Sequence, residues 1–251
     1  MTLDDKIASL VAVAKSVLIY HGDAEKTARM DGLYRGFIKP GMLAFDIGSH
    51  VGDRVASFRR LGARVVAVEP QDGPARMIDM LFADDPDVSL VRAVCAASEG
   101  ETTFKINSRN PTVSTASIDF VTAAQGAAGW EGQTWDQETR VRTTSLDALI
   151  TTFGQPGFVK IDVEGFEAVV LSGLTQAVPA LSFEFTTIQR AIALACIDRM
   201  ASLGAYRFDI ALGESQTLTF GRGISAAAMA AHVAGLPHDA NSGDIYAILE
   251  S

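Results

Sequence analysis

Apolar residues follow two different spacings along the chain. Between Ile7 and Leu18 they recur about every 3.6 residues, which predicts an amphipathic helix with one buried side. From residue 42 onward, short β-branched runs alternate with helical patterns, which predicts a parallel sheet covered by helices. We expect a helical cap over residues 1–40 and one doubly wound domain over residues 41–251. The predicted buried side of the first helix contains Ile7, Leu10, Val11, Ala14, Val17 and Leu18.

The sheet is expected to contain about seven strands. One helical segment between them has clear ends, because Ser145 can cap its start and Gly154 can end it. Regular patterning fails between residues 105 and 140. Since long irregular segments in a compact domain are more often functional than decorative, we expect this insert to act as a substrate lid. The predicted strands are MLAFDI, RVVAVE, VSLVRAV, FVKIDV, ALSFEF, YRFDIAL and GDIYAILE.

Composition narrows the classes of ligand and location. With 48% apolar residues among 251, the chain can bury a substantial core. The net charge of −9 argues against binding nucleic acid or an anionic membrane, since clustered lysine and arginine drive both interactions. The N-terminal apolar stretch is interrupted by Lys15 and is too short to cross a bilayer, so we expect a cytoplasmic protein without a membrane span. Cys95 and Cys196 lie in apolar runs, which predicts buried, reduced thiols.

The stretch FDIGSHVGDR, residues 45–54, joins the first predicted strand to a helix. In a doubly wound sheet, ligands bind outside the carboxyl ends of the strands, where such a turn exposes backbone N–H groups. Asp46, Gly48 and Gly52 lie in this turn. Glu69 ends the next predicted strand, where an acid can bind the hydroxyls of a ribose. The two features together predict a site for a nucleoside-containing ligand.

The chemistry of this turn separates two such ligands. A dinucleotide fingerprint requires G-x-G-x-x-G, whereas here three residues, with His50 in the middle, separate Gly48 from Gly52. Asp46 is poorly suited to a pyrophosphate but suits a cationic ligand. S-adenosylmethionine carries a ribose, an ammonium and a sulfonium but no phosphate, so charge favours it over NAD. An NAD-dependent oxidoreductase is the alternative enzyme class.

The second informative segment is FVKIDVEGFEAVVLSGL, residues 158–174. Val159 and Ile161 alternate with Lys160 and Asp162, so each pair is expected to face one side of a strand. Asp162 would then lie at the carboxyl end of that strand. Because the carboxyl ends of parallel strands share one edge of a sheet, we expect these charges to lie beside the FDIGSHVGDR turn.

In this order, FDIGSHVGDR, VVAVEP, TSLDALI, FVKIDVEGFEAVVLSGL, SFEF and GDIYAIL resemble the FkbM family of S-adenosylmethionine-dependent methyltransferases, over about residues 42–250. The resemblance implies the α/β class I methyltransferase fold, a Rossmann-like, doubly wound sheet whose antiparallel seventh strand lies between the fifth and sixth. It also implies O-methylation of sugars, glycolipids or polyketides. The family often has Ala-Asn where this chain has Ser49-His50, so a methyltransferase-like protein that binds without turnover stays an alternative.

The resemblance also implies which residues bind the cofactor. Glu69 would bind the ribose hydroxyls, and Ala93, within residues 92–94, would lie near the adenine. His50 would either contact the acceptor or serve only as a polar turn residue. The turn that would hold the rest of S-adenosylmethionine contains Asp46, Gly48, Ser49, His50 and Gly52.

Methyl transfer requires an aligned acceptor hydroxyl and a base within hydrogen-bond reach of it. Asp162 is the first candidate for this base, with Lys160, Glu164 and Glu184 next. Asp162 could instead hold the ammonium of the cofactor or cap the following helix. Asp162, Glu164 and Glu184 could also bind magnesium through carboxylate oxygens. Because their spacing is not diagnostic, we predict a site without a metal.

Acceptor contacts are expected from the insert and the strand SFEF. Trp130 and Trp135 offer aromatic faces to a sugar-like acceptor, or alternatively pack the long loop against the domain. Thr112 and Ser114 supply hydroxyls in the same insert, and Glu184 would face the same acceptor. The expected partner is therefore a small molecule or a glycan.

Overall fold

In the computed structural model, residues 3–250 are described, with side chains from residue 7 onward. The strands are β1 Leu43–Ile47, β2 Arg64–Val68, β3 Val88–Val91, β4 Val94–Cys95, β5 Gly100–Ile106, β6 Gln137–Thr144, β7 Phe158–Ile161, β8 Ala180–Thr186, β9 Tyr206–Leu212 and β10 Ser242–Leu249. The helices are α1 Leu3–His21, α2 Ala24–Tyr34, α3 Asp53–Arg60, α4 Asp72–Leu81, α5 Ile118–Ala124, α6 Leu146–Phe153, α7 Glu167–Ser172, α8 Arg190–Leu203 and α9 Ala226–Gly235. Short 3-10 turns occupy Pro111–Val113, Thr187–Gln189 and His238–Ala240.

Seven strands form the central sheet in the order β3-β2-β1-β7-β8-β10-β9. Neighbouring strands from β3 to β8 are parallel, whereas β10 is antiparallel to both β8 and β9. The last strand therefore lies between the fifth and sixth strands of this sheet. This arrangement confirms the class I methyltransferase topology that the resemblance implies.

The two faces of the sheet bury separate apolar clusters. Val159 and Ile161 of β7 pack with helices α6 to α9 on one face. Phe158 packs on the other face with Tyr34 of α2 and Phe58 of α3. This division confirms the predicted alternation in β7. In the β1–β7 register Asp46 is paired with Lys160, so two ionisable residues lie side by side on the face that α2 and α3 cover.

The predicted insert is more regular than its sequence pattern indicated. Its ends, β5 and β6, pair in antiparallel fashion over their full lengths, and β4 joins β6 to make a three-stranded sheet. Between these strands lie only the turn Pro111–Val113 and the helix α5. β6 was missed because its sequence, QETRVRTT, is mostly polar and has little apolar alternation. Irregular backbone is thus confined to parts of residues 107–136.

Helix α1 forms as predicted, but the prediction of its buried side was wrong. Leu10, Val11 and Leu18 are 69%, 63% and 74% exposed, and Ile7 and Ala14 are also exposed. The side that faces the domain carries small residues, Ala12, Val13 and Ser16, and packs on α4 and on the turn Pro111–Val113. Small side chains allow this close approach, and the spacing of the large apolar residues does not reveal it.

The helices of residues 3–250 differ in length and in apolar content. No single helix there is both long and apolar enough to cross a bilayer, although α1 from Ile7 and α2, bent by 66°, together meet the criteria of length and composition.

Candidate active site

Two adjoining cavities open at the carboxyl edge of the central sheet. The Glu69 cavity, of about 470 Å3, is lined by Glu69 together with Ala93 and Phe166. The Lys160 cavity, of about 580 Å3, is lined by Lys160 and Asp46. Both volumes include solvent at the open mouths of the cavities. The residues that line both cavities, and so form their junction, are Gly48, His50, Thr112, Asp162 and Glu164.

Glu69 directly follows β2, and both oxygens of its carboxylate are fixed by hydrogen bonds. The backbone N–H of His50 donates to Oε2 at 2.9 Å, and the N–H of Gln71 donates to Oε1 at 2.8 Å. Each oxygen retains a lone pair that a ligand hydroxyl can reach from the cavity. Burial raises the pKa of Glu69 to about 7, although the two N–H donors oppose the rise. Hydroxyl donors from a ligand would further favour the carboxylate form.

Gly48 allows the β1 turn and the β7 turn to meet. Its φ is +83°, a left-handed conformation that glycine adopts readily. A Cβ at this position would lie 1.8 Å from the carbonyl oxygen of Asp162. The turns are also joined by a hydrogen bond of 2.9 Å from the Asp162 N–H to the carbonyl of Ile47. Because Gly48 has no side chain, its backbone can contact the backbone of Asp162 directly, and both residues line the two cavities.

Ser49 and Gly52 shape the same turn in different ways. The Ser49 hydroxyl donates to the carbonyl of Asp46 at 2.7 Å and accepts the N–H of Val68 at 3.1 Å, so it joins β1 to β2. Ser49 lines the Lys160 cavity, whereas Gly52 lies outside both linings and begins α3 with a φ of +81°. Among the predicted cofactor residues, these two therefore act mainly on the conformation of the turn.

His50 lies between the two cavities with a neutral ring. Burial lowers its pKa to about 4. Its Nε2 lies 3.4 Å from the hydroxyl oxygen of Thr112, and its Nδ1 has no hydrogen-bond partner in the described part of the chain. The ring of Tyr20 packs against it edge-on, with centroids 5.7 Å apart. A φ of +46° is uncommon for a residue with a side chain, so this position is held under local strain.

Lys160 is fully buried among carboxylates. Its Nζ lies 2.5 Å from Asp244 of β10 and 3.4 Å from Asp162. Burial alone would lower the pKa of Lys160, but Asp162 and Asp244 outweigh it and raise that pKa above its usual value. The ammonium and the Arg54 guanidinium in turn outweigh the effect of burial on Asp162 and keep its pKa below the usual value. Asp162 is therefore an ionised carboxylate.

Three carboxyl groups converge at the junction and in the Lys160 cavity. Asp162, Glu164 and Glu184 each place one oxygen within 4.8 Å of an oxygen of both others. Burial and the neighbouring carboxylates raise the pKa values of Glu164 and Glu184 well above their usual range. Glu164 also has a φ of +55°, which makes it the second strained residue with a side chain at this junction.

The turn after β7 is capped by Glu167 and not by Asp162. One oxygen of Glu167 accepts the N–H groups of Val163 at 3.1 Å and of Gly165 at 3.3 Å. Glu167 is 2% exposed, and burial raises its pKa to about 7. The alternative role of Asp162 as a helix cap is therefore taken by another residue, and the Asp162 side chain faces the cavities.

The predicted acceptor residues divide into two groups. Thr112 and Glu184 line the Lys160 cavity, whereas Ser114 lines only the Glu69 cavity. Trp130 and Trp135 line neither cavity: both rings pack edge-on against Phe120, at centroid distances of 5.0 Å and 6.0 Å. Both rings thus take part in the packing of the insert, which was the alternative to a role as acceptor contacts.

Four further residues of the Lys160 cavity were not predicted from the sequence. Tyr20 comes from α1, Asp53 and Arg54 from the start of α3, and Glu214 from the turn after β9. Lys26 of α2 pairs with Glu214 at 3.1 Å and lies over the ring of Tyr20. Arg54 stands within the FDIGSHVGDR stretch, so its place in the turn was visible, but Tyr20 and Glu214 reach the site only through tertiary packing.

Solved structures that are similar to this chain share little of its sequence. Among curated proteins, none matches the chain at a significant level. Among solved structures, a precorrin-6y C5,15-methyltransferase from Geobacter metallireducens is 12% identical with a TM-score of 0.46, over 88% of this chain and 86% of that chain. Fibrillarin from Aeropyrum pernix, solved with natively bound S-adenosyl-L-methionine, is 9% identical with a TM-score of 0.43, over 87% and 73%.

The family model described as the methyltransferase FkbM domain matches residues 46–193, from the acid of the β1 turn to the first part of α8. The match covers more than half of the chain and includes Glu69, the insert and the whole β7 motif. The chain therefore belongs to the FkbM methyltransferase domain family, and the protein is a methyltransferase.

Proposed function

We propose that this methyltransferase transfers a methyl group from S-adenosylmethionine to a hydroxyl of a small, hydroxyl-rich acceptor such as a sugar, a glycolipid or a polyketide. The observation that carries the proposal is the junction of the Glu69 and Lys160 cavities at Gly48, His50 and Asp162. A cofactor in the first cavity and an acceptor in the second would meet at that junction. Proximity of this kind is the main requirement of methyl transfer.

The Glu69 cavity fits S-adenosylmethionine by its chemistry. The fixed carboxylate of Glu69 suits the ribose diol, and the apolar side chains of Ala93, Phe104 and Phe166 suit an adenine ring. The excess of carboxylates around the junction suits the positive charges of the ammonium and sulfonium. The cofactor would supply an electrophilic methyl group, and the protein would supply alignment.

The Lys160 cavity suits a polar acceptor. Its lining is mostly carboxylates and hydroxyls, which accept hydrogen bonds from an alcohol. We assign the acceptor hydroxyl to Asp162, which would orient it and receive its proton late in the reaction. Lys160 lies beneath Asp162 and would keep it ionised and in place, so its contribution is to position that carboxylate.

The test is incubation of the protein with methyl-labelled S-adenosylmethionine and a panel of glycans, lipids and polyketide alcohols, followed by mass detection of a labelled product. We expect label on a hydroxyl oxygen of one acceptor class. Binding of NAD in calorimetry, with no binding of S-adenosylmethionine or S-adenosylhomocysteine, would overturn the proposal. Tight cofactor binding with no product from any acceptor class would favour a binding protein without turnover.

A further inference from the structure

We propose that Asp162, Glu164 and Glu184 bind one hard divalent cation, such as Mg²⁺ or Mn²⁺, at the junction of the two cavities. From the sequence alone, these three acids predict no metal, because their spacing is not diagnostic. The structure adds their relative positions and the state of the Glu164 side chain.

The spacing of the three carboxylates suits a single ion. One oxygen from each lies within 4.8 Å of one oxygen from the other two. Ligand oxygens about 2.1 Å from a magnesium ion lie about 3–4 Å from one another, and larger ions such as calcium allow about 3–5 Å. Small side-chain movements would therefore place all three oxygens on one ion. Three protein ligands leave further positions for water or for an acceptor hydroxyl.

An independent observation comes from Glu164. Its side chain belongs to the cluster, the residue is 7% exposed, and its Oε2 has no hydrogen-bond partner among residues 3–250. A buried carboxylate oxygen without a partner is costly and calls for a ligand. The backbone holds this residue in place, because the Thr115 hydroxyl donates to the Glu164 carbonyl at 2.7 Å. The strained φ of +55° is thus fixed by a neighbouring element while the side chain faces the cluster.

The local charge also favours a cation. Asp162, Glu164, Glu184 and Asp244 lie around one buried ammonium, that of Lys160. Lys160 is already engaged by Asp162 and Asp244, which leaves Glu164 and Glu184 without a positive partner of their own within the described residues. A divalent ion would neutralise this excess, which protons would otherwise have to do.

The role of the ion rests on the proposed function. At the junction, an ion held by these carboxylates would bind the acceptor hydroxyl and increase its acidity. Asp162 would give one carboxylate oxygen to the ion and would keep the other to receive the proton of the hydroxyl, as in the proposed function. Binding of the ion itself requires no methyl transfer and can be measured alone.

The experiment is titration of the whole protein with Mn²⁺, with free Mn²⁺ followed by its electron paramagnetic resonance signal. We expect one Mn²⁺ per chain, displaced by excess Mg²⁺. In Glu164→Gln and Glu184→Gln we expect affinity to fall by about tenfold or more. Glu214→Gln is the matched control, because Glu214 lines the same cavity but pairs with Lys26 outside the cluster. In the control, affinity should stay within about twofold.

Glutamine has the shape of a protonated glutamate, so both cluster variants should fold and be at least as stable as the parent without the ion. Absence of stoichiometric binding at about 1 mM Mn²⁺ would overturn the proposal. An equal loss in the control would also overturn it, since binding would then reflect only a diffuse acidic field. Calorimetry with S-adenosylhomocysteine on the same preparations separates the two proposals: cofactor binding without Mn²⁺ binding refutes the cation site alone.

Discussion

The close approach at Gly48 gives a sharp test of how the two turns form the site. In Gly48→Ala, the new Cβ would lie 1.8 Å from the carbonyl oxygen of Asp162 and 2.8 Å from its carbonyl carbon. No rotation of a side chain relieves this contact, because both atoms belong to the backbone. The β1 turn and the β7 turn must therefore move apart. Residues of both turns line the two cavities, so this movement should change the site.

Two free-energy costs combine in this variant. An alanine in the left-handed region costs about 1–2 kcal/mol, and forced separation of well-packed backbone costs about 1–3 kcal/mol more. Gly41→Ala isolates the first cost, because Gly41 has a φ of +77° and no atom lies within 4 Å of its added Cβ. We therefore expect unfolding free energy to fall by about 1–2 kcal/mol in Gly41→Ala and by about 2–5 kcal/mol in Gly48→Ala.

Equilibrium urea unfolding measures both losses, and calorimetry with S-adenosylhomocysteine measures the effect on the site. Gly48→Ala should lose affinity for this ligand, whereas Gly41→Ala should keep it, since Gly41 lies outside the linings of both cavities. Equal unfolding midpoints for the two variants, together with equal affinities, would refute the steric reasoning.

Three further predictions concern single carboxylates. Glu69→Ala should weaken S-adenosylhomocysteine binding by about 1–3 kcal/mol, or about 5- to 150-fold in calorimetry, and unchanged affinity would place the ribose elsewhere. Asp162→Asn should keep cofactor binding but lose roughly 100-fold or more in turnover of labelled methyl groups, and parental rates would remove Asp162 from the chemistry. Because the pKa of Glu167 is raised from 4.5 to about 7, its contribution to stability is complete below pH 4.5 and is lost as pH rises through 7, by about 3 kcal/mol. Glu167→Gln should remove that fall in urea unfolding measured between pH 4.5 and 8, and an unchanged slope would contradict it.

The spacing of apolar residues predicted those helices, strands and turns that depend on residues close together in the sequence. Apolar and charged residues alternate around Lys160 up to a glycine turn. The spacing of apolar residues alone therefore predicted the strand, the turn and the helix that follows. The position of β10 came from the family resemblance, since no local signal says which strands a segment will join. In helix α1, the apolar spacing predicted the helix correctly but not its buried side. That side is decided by the surface of α4 and of the turn Pro111–Val113, on which the helix packs.

The candidate site divides in the same way. Glu69 follows β2 and Asp162 follows β7, which are the two parallel strands on either side of β1, so their convergence follows from the geometry of the sheet. Tyr20 and Glu214 come from a helix and a turn that are far in sequence from the other residues of the Lys160 cavity. The sequence around each of them contains no recognisable motif. The tryptophans were predicted to contact the acceptor because of their residue type alone. In the structure both make edge-on contacts with Phe120 within the insert.

The ion pair between Lys160 and Asp244 joins residues 84 positions apart, and it has a consequence for the order of folding. Asp244 arrives only when β10 enters between β8 and β9, a non-local pairing that is slow to form. Without β10, Asp162 is the carboxylate that remains within ion-pair distance of the Lys160 ammonium among the described residues. Lys160 therefore acquires both of its carboxylate partners only when the final strand joins the sheet.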